Sequence, residues 1–148
     1  MRWFTADFTT REANLIFVWS RMRTVEAESK AARIRHSHMC FTDFLEALVR
    51  IAVSKTLPTD QEIEAAGARD AHQFVVNLQA QGEWDDFVLA NPAQWDASPR
   101  QPIERCVAHV CAMLVGTIQE VVATPGDPKP LSQREVRLFR KKRLEGYA

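Results

Sequence analysis

His36, His38 and Cys40 occupy alternate positions in the stretch His36-Ser37-His38-Met39-Cys40, so an extended backbone points all three the same way. Cys106 and His109 stand three apart in a run with helical periodicity, on one side of a helix. Two imidazoles and two thiols would complete a tetrahedral zinc site, which makes a zinc-binding regulatory domain the alternative functional reading. Nothing local draws the two groups together, and H-x-H-x-C is not a familiar zinc signature. Exposed loop histidines and core cysteines are the simpler account, and no cofactor is expected. Three cysteines cannot all pair with one another, so reduced, buried thiols in a cytoplasmic protein are expected.

Catalysis finds no constellation in this chain. G-x-x-x-x-G-K-S/T, G-x-S-x-G and H-E-x-x-H are all absent. Asp85 and Asp86 are neighbours that would point to different faces of a helix, and His72 and His109 read as structural. The expectation is a non-enzyme.

Charge is the stronger signal. The net charge is zero, yet Asp60, Glu62, Glu64, Asp70, Glu83, Asp85, Asp86, Asp96 and Glu104 face only Arg69 and Arg100 in the middle of the chain. The end is basic, with Arg137, Arg140, Lys141, Lys142 and Arg143 on one predicted helix. Acidic middle and basic end would attract each other within the fold, or each would meet an outside partner. The bases face water or offer a positive surface to an acidic protein segment, nucleic acid or anionic lipid. No helix-turn-helix or aromatic stacking platform accompanies them, so a basic nucleic-acid-binding module ranks lowest. Trp3, Phe4 and Phe8 precede the first helix and either fold back over the core or form part of a protein contact.

These residues must be positioned by helices. A chain of 148 residues, 46% hydrophobic and 26% charged, is expected to form one soluble domain spanning 1–148. Unbroken apolar runs such as Cys111-Ala112-Met113-Leu114-Val115 are too short to span a bilayer, so no transmembrane segment is expected. The opening MRWFTADFTTR lacks a secretory pattern and reads as the start of a domain cut from a longer protein.

Apolar spacings of three and four dominate. A helix from about Thr10 would carry Leu15, Val18, Trp19, Met22 and Val25 on one stripe, widened by Ile16 and Phe17. A second, about Thr42 to Lys55, would turn Phe44, Leu45, Leu48, Val49 and Ala52 inward and stop at Pro58. Thr59 and Glu62 form a capping box for a short helix ending near Gly67, and Asp70 caps the next, which ends before Gly82. Trp84, Phe87 and Val88 suit another short helix. The spine would run from Pro102 to Ala123, with Ile103, Cys106, Val107, Val110, Cys111, Leu114, Ile118, Val121 and Val122 on one face. Ser132 and Glu135 box the last, basic helix, whose inner side would carry Val136, Phe139 and Leu144.

Aligning Asp43 with the last place of an EF-hand loop puts Met39 at the apolar eighth place and starts an exit helix at the right point. The loop would then be Ala32 to Asp43, with Ala32, Ile34 and His36 where oxygen donors are needed and Ser37 in place of the turn glycine. Arg33 and Arg35 add positive charge there, so calcium binding is not expected. The stretch Phe41-Thr42-Asp43-Phe44-Leu45-Glu46-Ala47-Leu48, preceded by Ile16-Phe17-Val18-Trp19-Ser20-Arg21-Met22, resembles the EF-hand-like cores of tubulin-polymerisation-promoting proteins and EF-hand-derived domains of ciliary and flagellar proteins. The resemblance covers Thr10 to Thr56 and implies paired helices without chelation, binding microtubules or scaffold partners.

The expected fold class is all-α. It comprises a degenerate EF-hand pair (10–56), a helical remainder (57–128) with a buried helix at 102–123, and a basic terminal helix (129–148). A small β-bridge at Met39 to Phe41 is expected with a second loop. The expected function is a non-catalytic protein-interaction or scaffold domain of a microtubule or flagellum, with tubulin or a flagellar scaffold protein as partner. Arg137, Arg140, Lys141, Lys142, Arg143, Trp3, Phe4 and Phe8 are its candidate contact residues.

Overall fold

The computed structural model describes residues 3–5, 7–21, 38–93, 98–122 and 132–145, the last four of these as backbone only. The fold is all-α. Among the described residues the helices are α1 (Thr10–Trp19), α2 (Phe41–Ser54), α3 (Asp60–Ala65), α4 (Ala71–Gln81), α5 (Trp84–Ala90), α6 (Ile103–Val122) and α7 (Gln133–Glu145). Among the described residues the one β-type pairing is an isolated antiparallel bridge between Thr5 and Phe8. The bridge expected at Met39 to Phe41 is not formed, because Phe41 is already the first residue of α2.

Helix starts follow local chemistry. Thr59 accepts from the Glu62 N–H at 3.3 Å while the Glu62 carboxylate takes the Thr59 N–H at 2.7 Å, and Ser132 and Glu135 repeat the exchange for α7. Asp70 caps α4 through the Gln73 N–H at 2.9 Å, and Gly82, at φ +79°, closes that helix in the left-handed region where a Cβ is penalised. Thr9 and Glu12 cap α1 in the same reciprocal way.

The core is built on α6, which lies between α2 and α4. Its inward stripe is Cys106, His109, Val110, Met113 and Gly116. Val110 and Met113 meet Leu48, Leu57, Phe74 and Trp84, and a side chain of this kind contributes roughly 1.5–3 kcal/mol when fully buried. The expected spine is therefore present, but Ile103 and Val121 at its ends are exposed. By length and composition α6 is also long and apolar enough to cross a membrane, a property that unbroken apolar runs do not reveal. Here its apolar face is engaged with α2 and α4.

The inward faces of α1 and α2 differ from the expected ones. Ile16 is the buried residue of α1 and packs with Phe8, Ala47 and Ala13, whereas Val18 and Trp19 are exposed. Met22 and Val25 lie outside the described residues. On α2, Leu48 and Ala52 are inward as expected, joined by Ala47, while Phe44, Leu45 and Val49 are each at least 40% exposed. Small alanines let neighbouring helices approach closely, so the bulky residues are left at the edges. Helix α2 ends at Ser54, short of Pro58, because Lys55 turns into extended backbone at φ −98°, ψ 137°. Lys55, Thr56, Leu57 and Pro58 then run buried through the domain.

A candidate docking groove

The N-terminal arm, described at residues 3–5 and 7–8, folds back over the domain. The Trp3 indole N–H donates to Thr117 Oγ1 of α6 at 2.8 Å. Asp7 lies 3.4 Å from the Lys55 ammonium and accepts the Thr56 N–H at 3.2 Å. Lys55 also reaches the Trp3 carbonyl at 3.3 Å and lies over the rings of Phe8 and Trp84. The Lys55 and Asp7 side chains are 1% and 3% exposed. Burial pushes the Lys55 ammonium below its ordinary value, and Asp7 pulls it back.

Held this way, the arm forms one wall of an apolar groove of about 430 Å³. Trp3, Phe4 and Phe8 line it from the arm, and Ala13, Ile16 and Phe17 from α1. Met39, Phe44, Ala47 and Ile51 come from α2 and its approach. Leu114, Thr117 and Ile118 of α6 form the floor, and Phe139 closes the side formed by α7. Among the described residues no lining side chain is charged, and the Thr117 hydroxyl is taken up by Met113 O and the Trp3 indole N–H.

Of the expected contact residues, Trp3 and Phe8 are structural as well as groove-lining: Phe8 is 2% exposed and Trp3 is half-buried. Phe4 is 53% exposed and stacks parallel on Phe8. Arg137, Arg140 and Lys141 are exposed on α7; Lys142 and Arg143 lie on its backbone, with side chains outside the description. The expected inward residue Val136 is exposed, Phe139 is half-buried in the groove wall, and the Leu144 side chain falls outside the described residues. Phe17 carries the Arg21 guanidinium 3.7 Å above its ring centre. The groove itself, shared by four helices and the arm, had no single signal in the sequence; unused large apolar residues on α1 and α2 were its trace.

Acids of the middle segment find local partners. Glu62 meets Arg100 at 2.5 Å, Asp70 meets Arg69 at 3.0 Å, and Asp60 meets Arg105 at 2.7 Å in a forked pair. Hydrogen bonds from Arg105 hold the Asp60 carboxyl below its ordinary value. Asp60 also lies 3.1 Å from His109 Nε2, off the line of a well-aligned hydrogen bond. Burial pushes His109 below the usual histidine range, with Asp60 opposing and Arg105 assisting.

The zinc candidates do not converge among the described residues, where no three His, Cys, Asp or Glu side chains gather as a metal would require. His38 and Cys40 are exposed, whereas Cys106 and His109 are buried and face Gln101 and Asp60. Burial also raises the Cys106 thiol, which disfavours the thiolate a metal takes. His36 lies outside the described residues, as do the other residues from 32 to 37 that the EF-hand alignment places in its loop. Asp43 is described: it is buried at the start of α2 and accepts the Cys40 N–H at 3.0 Å.

Comparison of this chain with protein-family models, curated proteins and solved structures finds no match.

Proposed function

We propose that this domain is a non-catalytic protein-interaction module whose docking surface is the groove between the arm, α1, α2, α6 and α7. The observation that carries the reading is a groove of about 430 Å³ whose described lining residues carry no charge, walled by partly exposed Phe4, Phe17 and Phe44. Large aromatic surface left in contact with water costs free energy that a partner recovers on binding. The rings are the residue types that anchor protein interfaces. The resemblance of residues 10–56 to EF-hand-derived cytoskeletal proteins adds the setting: a microtubule-based or flagellar structure.

Co-sedimentation with microtubules at low and moderate salt tests this, with Phe44→Glu as the groove variant. Phe44 is half-exposed, so a carboxylate there disturbs the groove while sparing the buried core. Pelleting of the native chain that Phe44→Glu abolishes is the expected result. Absence of pelleting at low salt removes tubulin as the partner.

A further inference from the structure

Lys55 depends on the N-terminal arm for its polar surroundings. Among the described residues its ammonium has two hydrogen-bond partners, the Trp3 carbonyl at 3.3 Å and the Asp7 carboxylate at 3.4 Å, and both belong to the arm. Of the two rings beside it, Phe8 is on the arm and Trp84 on α5. The Lys55 side chain is 1% exposed. An ammonium stays buried only with such partners, so seating the arm and covering Lys55 go together.

The arm is joined to the body by side-chain contacts. Its described backbone pairing is internal, between Thr5 and Phe8. Trp3 is tied to the Thr117 hydroxyl, Asp7 to the Lys55 ammonium and the Thr56 N–H, and Phe8 packs with Ile16 and Ala47. None of these ties is a backbone bond within a helix, so the helices stay formed when the arm leaves. A buried ion pair also holds less firmly than its contacts suggest, because water takes up both charges once they separate.

We infer that the arm is a strap that opens as one unit while the helices stay folded, uncovering Lys55, and that a partner in the groove holds it shut. The second half rests on the docking reading above. Trp3, Phe4 and Phe8 line the groove while the arm is seated, so a partner that touches them binds the shut form better. Closing the strap and filling the groove then favour each other by the same factor.

The test labels lysines of the full chain with an acetylating N-hydroxysuccinimide ester, read peptide by peptide by mass spectrometry, beside hydrogen exchange of the α6 amides. Exposed Lys141 is the reference. Lys55 should label at least about a hundredfold more slowly than Lys141, since the shut form shields it. Adding urea to about 1 M should change Lys55 labelling by less than about twofold, because strap opening exposes little surface. Over the same range the buried Val110 and Met113 amides, which exchange through unfolding of the domain, should accelerate by about tenfold or more. Thr117→Val should speed Lys55 labelling by about tenfold, because the Trp3 end leaves with the Asp7 end. A lysine-free, N-acetylated synthetic helix with leucines along one face, at about ten times its dissociation constant, should slow Lys55 labelling by about tenfold. The Phe44→Glu chain should show no slowing.

Lys55 labelling that climbs with urea in step with α6 exchange overturns the strap, since Lys55 is then reached through unfolding of the whole domain. Labelling as fast as at Lys141 overturns it too. No acceleration in Thr117→Val overturns opening as one unit. A helix that binds, read by anisotropy, while Lys55 labelling is unchanged overturns the coupling and leaves the docking reading standing. Absence of helix binding removes the docking reading and the coupling together, and the strap then stands or falls by the urea response.

Discussion

Trp3 and Thr117 stand 114 residues apart in sequence and share a hydrogen bond of 2.8 Å, indole N–H to hydroxyl. The bond fixes the arm to the floor of the groove. Thr117→Val keeps the side-chain shape and removes the acceptor, leaving a part-buried donor without its partner. A loss of about 1–2 kcal/mol in urea unfolding is expected. No loss would show that the arm is held elsewhere.

Elsewhere means Lys55 and Asp7. Both are almost fully buried, so removing one charge strands the other. Asp7→Asn is expected to cost about 3 kcal/mol or more, because an unpaired buried ammonium is left behind. The double variant Asp7→Asn, Lys55→Met should recover most of that loss. Chemical denaturation of the single and double variants checks the order; a double variant weaker than Asp7→Asn alone would contradict it.

Gly116 matters for the space it leaves. A Cβ there would lie 2.2 Å from His72 Cγ, which forces the ring off its place between α4 and α6. Gly116→Ala should destabilise by about 1–3 kcal/mol despite alanine's better helix propensity. Adding His72→Ala should relieve the clash, so thermal melts of the two variants test the cause. A single variant as stable as the native chain would disprove the close approach.

Acid sensitivity should trace to His109. Its folded value lies below the ordinary 6.5 because the ring is buried, with Asp60 and Arg105 the charged groups facing it. Between these two values the unfolded chain binds the extra proton, so the stability contribution is full above about 6.5 and is lost as pH falls through the lower folded value. His109→Gln should flatten stability against pH in that window. An unchanged slope would assign the effect to another group.

How much of this was legible depends on range. The caps at Thr59–Glu62, Asp70 and Ser132–Glu135 were readable because each joins groups within one helical turn. Helix α6 was readable from its long apolar periodicity, though the burial of His109 and Gly116 was not, since each depends on what a distant helix places opposite. In Ile16-Phe17-Val18 and Phe44-Leu45, adjacent large apolar residues permit more than one inward direction. The arm and neighbouring alanines decide between them. The groove arises from the same ambiguity: it is lined by apolar residues that local periodicity would bury, including Phe17 and Phe44.

The most direct test of docking reads the tryptophan indole N–H resonances during titration with a synthetic helix that carries leucines along one face. Trp3 lines the groove, whereas Trp84 is 3% exposed and lies outside it. A saturable shift of the Trp3 signal with Trp84 unmoved is the predicted outcome. Binding that moves Trp84 and leaves Trp3 in place would contradict the account.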